Sequence, residues 1–244
     1  MNFSAFSIDS IIHNTNNQQL HKMKHNFFEI LVLEPKKKNA LTEEKFLKDL
    51  QEVVDTVVQE KGTFDAKFRK SIDKDHPERL LFVAAWETIE AHDEFDVKGI
   101  VPKLLKLMLG HLDLVAAQFM FMDSAKVDFD ALVWRVDAFH VKDQEKALFQ
   151  KEIDTTVGLA GAWYITKKMP PLPTVMPTDP VELQILEEGM KRAEDRLNSP
   201  TPNIWMSIST PDSGNTMKTF GEKVNSYIQE MQSGKYEKFV GSKN

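Results

Sequence analysis

Residues Arg79 to Phe95 read RLLFVAAWETIEAHDEF, and this stretch decides the fold. Arg79 to Glu87 has the length and composition of a strand. Alternation puts Leu80, Phe82, Ala84 and Trp86 on one face and Leu81, Val83 and Ala85 on the other. Both faces are apolar, so both must be covered. Trp86-Glu87-Thr88 ends the strand, and a short helical turn then carries Ile89, His92, Asp93 and Phe95. A large aromatic and a titratable ring at the end of a buried strand mark the place of a pocket more clearly than its chemistry.

Toward the N-terminus, Thr63 to Ile72 alternates as a strand, with Phe64, Ala66 and Phe68 against Asp65, Lys67 and Arg69. Before it, Phe46, Leu50, Val53, Val54 and Val57 recur at helical spacing, behind an N-cap expected at Thr42 and before a stop at Gly62. Phe27 to Leu33 (FFEILVL) reads as the first strand. Residues 1–25 are polar and rich in Asn, Gln and His, which predicts a flexible arm; the short apolar piece Phe6 to Ile12 is a candidate docking helix. Toward the C-terminus, a Leu-rich helix over Ile100 to Leu109 and a strand over His111 to Met122 follow. Strand, helix, strand, strand, helix, strand is the split βαβ, or ferredoxin-like, order. Its helices cover one face of the sheet, and the other apolar face needs a second layer.

The second half supplies such a layer. It reads as a strand (Phe129 to Phe139), a helix (His140 to Val157) and a strand (Leu159 to Lys167). A Pro-rich loop (Met169 to Asp179) and an inserted helix opened by Pro180 follow. A strand (Asn203 to Ser209), a helical stripe (Met217 to Met231) and a short closing strand (Tyr236 to Val240) complete it. The predicted fold class is α+β: two tandem ferredoxin-like units forming an intramolecular α/β barrel with antiparallel sheets. The expected units are the arm at 1–25, a first unit at 26–125 and a second, degenerate unit at 126–244.

Composition narrows the function. A net charge of −6 argues against a nucleic-acid surface. The chain has no cysteine, which removes disulfides, thiolate catalysis and iron–sulfur clusters. No apolar run is long enough to span a bilayer, and no secretory signal is legible, so a cytoplasmic protein is expected. There is no Gly-rich loop for a nucleotide, no Gly-x-Ser-x-Gly and no paired metal-ligand spacing. One histidine suffices to ligate haem, but nothing selects which. The expectation is no cofactor and no metal.

The pattern Trp86, Glu90, Ala91, His92, Phe95, set within this order of elements, resembles the antibiotic-biosynthesis-monooxygenase type of dimeric α/β barrel. The resemblance covers the first half, and the second half fits as a degenerate copy. It implies small-molecule cavities between sheet and helices. It also implies activities that range over cofactor-free monooxygenases, polyketide cyclases, haem-degrading enzymes, isomerases and proteins without known activity, so the fold does not settle the reaction. Tandem forms resemble proteins of fungal secondary metabolism.

The candidate catalytic residues are His92, His111 and Asp113. His92 reads either as a general base at a cavity or as a structural ring bonded within the fold. His111 and Asp113 are two apart on a strand, where a carboxylate orients an imidazole, or else both are solvated at the strand end. Trp86, Phe82, Trp134, Trp163, Tyr164 and Trp205 are candidate walls for an apolar substrate, with core packing as the alternative. Arg135 and Asp137 are either a buried pair or exposed. The leading expectation is a cofactor-independent enzyme acting on a polyketide- or terpenoid-like small molecule, as a monooxygenase or as a cyclase or isomerase. The rival is a non-catalytic binding or stress protein with an interior filled by Met and Phe. Tandem fusion makes the chain a monomeric pseudo-dimer and leaves a homodimer open.

Overall fold

The computed structural model describes residues 25–38, 40–156, 158–168, 172–210 and 214–241. The first half forms β1 (His25–Pro35), α1 (Glu44–Val58), β2 (Thr63–Ser71), β3 (Leu80–Trp86), α2 (Ile89–Asp96), α3 (Val101–Leu109) and β4 (Leu112–Asp123). The second forms β5 (Val133–Val141), α4 (Lys146–Thr155), β6 (Gly161–Trp163), α5 (Pro180–Leu197), β7 (Ile204–Ser209), α6 (Gly214–Val224) and β8 (Ile228–Gly241). Every residue of β3 is buried, as its two apolar faces require. Among the described residues, no helix is long and apolar enough to cross a membrane.

The eight strands run in the order β4-β1-β3-β2-β8-β5-β7-β6, antiparallel throughout. The first four repeat the ferredoxin-like order, and the last four repeat it again in the second half's own count, so the halves are related as two subunits of a dimer would be. Two seams join them. Along β2 and β8, pairing runs from Lys67↔Gly241 to Ser71↔Tyr236. Between β4 and β6 it narrows to the bridge Met120↔Tyr164 and one adjacent bond, Ile165 N–H to Phe119 O at 2.8 Å. This short seam closes the sheet into a barrel and so leaves its edges paired.

Strand alternation divides the core into three. Phe28, Ile30, Leu81, Val83, Met120, Met122, Trp134, Met206 and Tyr236 point into the barrel and fill it. Phe27, Phe46, Leu50, Phe68, Phe82 and Trp86 form the outer layer beneath the first half's helices. Phe139, Phe149, Trp205 and Phe220 do the same beneath α4 and α6. The barrel also buries two cations of β2. Lys67 pairs with Asp65 at 2.5 Å and donates to Phe129 O at 2.8 Å. Arg69 is fully buried; it donates to the same oxygen at 3.0 Å and lies 3.6 Å over the Trp134 ring. Desolvation lowers the Arg69 pKa to about 10 despite Asp65, Asp128 and Asp130 nearby. The side of β2 that the alternation marks as polar therefore faces the interior.

Several elements differ from expectation. The helical stripe from Met217 breaks at Val224, and Ile228 and Met231 belong to β8. The short closing strand is thus a 14-residue strand that pairs with both β2 and β5. Apolar residues four apart satisfy a helix or alternate strand positions equally, and pairing on both sides decided for the strand. β5 runs through His140 to Val141, and α4 starts only at Lys146. The expected strand to Lys167 pairs with β7 only over Gly161–Trp163, because the chain then turns to β4 at Tyr164 and Ile165 and reaches α2 at Lys167. Glu43, not Thr42, holds the N-cap position of α1. Residues 1–24, Val157 and Met169 to Pro171 lie outside the described residues.

Candidate functional site

The inserted helix α5 is what creates the site. Asp179 caps it, accepting from the N–H groups of Val181 and Glu182 at 2.9 and 3.2 Å. The other oxygen of Asp179 accepts from Lys106 of α3 at 2.5 Å, which clamps α5 beside α3. The Pro-rich segment before it is fixed by Thr174 N–H donating to Val97 O at 2.8 Å. Gly99, at φ +72°, lets the two segments touch, since a Cβ there would lie 2.6 Å from Val175 O.

Between α5, α3 and the outer face of β1 and β4 lies a half-open cleft of about 190 Å³. Its walls are apolar: Leu31, Leu105, Leu114, Phe119, Ile185, Leu186 and Met190. Its polar floor comes from three elements: Glu29 of β1, His92 and Asp96 of α2, and Lys167 beyond β6. The second half thus contributes α5 and Lys167 to a cleft on the first half's sheet.

His92 is buried, with its ring edge-on to Phe27 and Trp86, each 5.1 Å away between centroids. The position follows from local structure: the Thr88 side chain caps α2, accepting from Ala91 N–H at 3.2 Å, and the first turn then swings His92 over Trp86. Nε2 lies 3.3 Å from Glu29, and Nδ1 lies 3.3 Å from Asp96 and 2.6 Å from Lys167 Nζ. Lys167 Nζ also reaches Asp96 at 2.6 Å and Asp93 at 3.0 Å. Burial alone would lower the His92 pKa, but hydrogen bonds and charge from Asp96 and Glu29 raise it to about 9. For Asp96 burial works upward, and the His92 hydrogen bond, the His92 charge and Lys167 together bring its pKa below the usual carboxylate range.

The 2.6 Å contact between Lys167 Nζ and His92 Nδ1 holds one proton, since two N–H donors cannot point at each other at that distance. One nitrogen donates and the other accepts, and the carboxylates of Glu29, Asp93 and Asp96 surround the pair with negative charge.

Neither a metal nor haem suits this cluster. His92, Asp93 and Asp96 offer ligand atoms within 4.8 Å of one another, but the Lys167 nitrogen already occupies the place of a cation among them. Both nitrogens of His92, the one imidazole on the cleft among the described residues, are engaged, and a cavity of about 190 Å³ is small for a porphyrin.

Of the other residues singled out in the sequence, none lines the cleft. His111 precedes β4 rather than starting it, so it shares no strand face with Asp113; it turns to Asp49 of α1, with Nε2 3.1 Å from the carboxylate. The Asp113 side chain is largely exposed, 3.9 Å from Lys36. Phe82 packs on Phe68 in the outer layer. Trp86 lies behind His92, fully buried. Trp134 is inside the barrel, its indole N–H donating to Asp128 O at 2.8 Å. Trp163 donates to Gln150 at 2.6 Å, Tyr164 bridges to β4, and Trp205 sits among Phe139, Phe149 and Phe220. Arg135 and Asp137 form a pair at 2.9 Å, with the carboxylate fully buried. Sequence reasoning passed over Glu29, Asp96 and Lys167. Glu29 carried a signal: an acid in the middle of a strand apolar on both sides needs a buried partner.

No family model matches the chain, and no curated protein matches it. Solved structures do resemble it. A candidate monooxygenase of Lactobacillus acidophilus NCFM superposes with a TM-score of 0.50 at 11% identity, covering 89% of this chain and 98% of its own. A candidate monooxygenase of Fusobacterium nucleatum subsp. nucleatum ATCC 25586 gives 0.55 at 8% identity, covering 90% and 95%. An anthrone oxidase-like protein gives 0.52 at 10% identity, covering 90% and 93%. At such identities the likeness is one of fold: this chain shares the ferredoxin-like α/β-barrel architecture of those three structures.

Proposed function

We propose that the chain is a cofactor-independent enzyme acting on an apolar small molecule in the cleft beside α5, as a monooxygenase. The observation that carries this reading is the His92–Lys167 pair, held by Asp96, Asp93 and Glu29 at the floor of an apolar cleft. A cavity of about 150 Å³ holds benzene, so about 190 Å³ takes one or two rings, and the open side lets a larger skeleton project. The substrate is accordingly a compact aromatic head with an acidic O–H or C–H, such as a fragment of a polyketide.

In the oxygenase version, an activated methylene of the substrate gives a proton to the nitrogen pair. The resulting carbanion forms beside the imidazolium and ammonium, which stabilise it. The carbanion passes electrons to O2 and a carbon–oxygen bond forms. The pair then returns its proton to the peroxide, and the hydroperoxide loses water to leave a ketone. The balance is one methylene and one O2 consumed, one carbonyl and one water formed. Two electrons from the methylene carbon reduce the oxygen atom that leaves as water. Without oxygen, the same proton transfer supports an isomerase or cyclase. The anthrone oxidase-like neighbour favours anthrone as a first substrate.

The test is oxygen uptake and product formation with anthrone, under air and under nitrogen, for the wild type, His92→Gln and Lys167→Met. The expected result is a rate above the spontaneous background that falls at least about 100-fold in each folded variant. Product under nitrogen would move the reading to isomerase chemistry. Folded variants that keep the full rate would remove these residues from the reaction, and a cleft that binds anthrone without turning it over would make this a binding protein.

A further inference from the structure

We propose that the cleft selects a ligand with an anionic group, a carboxylate or phenolate, and that Arg196 of α5 receives it. The inference rests on the cleft being the ligand site and adds the ligand's charge and orientation. Arg196 lines the cleft in the last turn of α5, half-buried, with its guanidinium 5.5 Å from the centre of the Phe119 ring. Among the described residues, that ring is its side chain's one charge contact; no carboxylate or carbonyl accepts from it. A guanidinium has five donors in a planar fork that matches a carboxylate, and this fork is open toward the cleft.

The rest of the lining polarises the cleft from floor to mouth. At the floor, the nitrogens of His92 and Lys167 are already taken up by Glu29, Asp93, Asp96 and each other, so no open donor fork is left there for a carboxylate. The mouth carries Arg196 and the exposed Lys168, with Arg192 only 3.8 Å from Glu188 as a loose pair. Apolar Phe119, Leu105 and Ile185 lie between. A ligand with one charged end and one neutral, proton-donating end therefore binds in one direction. Its anion meets Arg196, its ring lies along Phe119, and its reactive group meets His92.

The probes are 2-naphthoate and its uncharged isostere 2-naphthamide, measured by calorimetry on the full chain at low and moderate salt. The expected result is that wild-type protein binds naphthoate about tenfold more tightly than naphthamide, the size of one charge-assisted pair at a half-buried site. Arg196→Gln should erase that preference with naphthamide affinity unchanged, Arg196→Lys should keep part of it, and both variants should melt with the wild type. Equal affinities in the wild type, or a preference that survives in Arg196→Gln, would refute the role of Arg196 while leaving the cleft as a site for neutral molecules. Binding of neither probe would overturn the cleft reading and this inference with it.

Discussion

The raised pKa of His92 makes stability depend on pH in a direction that can be worked out. Folding brings the ring from an ordinary value of 6.5 to about 9, so the folded state holds its proton more tightly than the unfolded chain does. Below pH 6.5 both states are protonated and the whole difference stabilises the fold. Between 6.5 and 9 the unfolded ring loses its proton first, and the advantage shrinks steadily. Above 9 both are neutral and the contribution is gone. At 1.36 kcal/mol per pH unit, the difference amounts to about 3 kcal/mol. The facing groups are Glu29 from β1, Asp93 and Asp96 from its own helix and Lys167 from beyond β6, and the proton shared with Lys167 trims that figure. His92→Gln removes the titration and keeps much of the volume and hydrogen bonding of the ring. Urea unfolding of both proteins at half-unit steps from about pH 6 to about pH 9.5 isolates the effect, because the groups that do not touch the ring titrate alike in the two. The stability advantage of the wild type should fall by about 3 kcal/mol across the window. An advantage that stays constant within about 1 kcal/mol, or that grows with pH, would show that the ring is neutral in the fold and that the carboxylates do not charge it.

Two further outcomes follow from the same geometry. Lys167→Met leaves Asp93 and Asp96 without their ammonium, and breaking a buried pair from one side costs about 3–5 kcal/mol, a loss that urea unfolding of the variant should show. Gly161→Ala puts a Cβ 2.2 Å from the Trp205 ring and 2.6 Å from Met206 O, which forces β6 off β7 and loads the narrow β4–β6 seam. The expected cost is about 1–3 kcal/mol, with faster hydrogen exchange at the Tyr164 and Ile165 amides than at those of β2 and β8.

Much of this molecule was legible in the chain. The double apolar alternation of Leu80 to Trp86 demanded a covered sheet, and the order of elements fixed ferredoxin-like units, because burial and strand period are properties of local sequence. His92 was legible as a site candidate because a titratable ring on the turn after a buried strand has few places to go. The other candidates lie away from the cleft, and one reason is that alternation tells which residues share a side of a strand but not what lies across from that side. His111 thus went to Asp49, Trp134 to the barrel interior, and Trp163 and Trp205 to the layer under α4 and α6. The length of β8 was illegible because its partners β2 and β5 are remote in sequence. The composition of the site was decided only by tertiary structure. Lys167 and Asp96 are 71 residues apart, Lys167 and His92 75, and Glu29 and His92 63. They meet because barrel closure returns the chain after β6 to the edge of β4 and lays the inserted helix over a sheet of the other half. The charges that meet there then set one another's protonation, which no local pattern encodes.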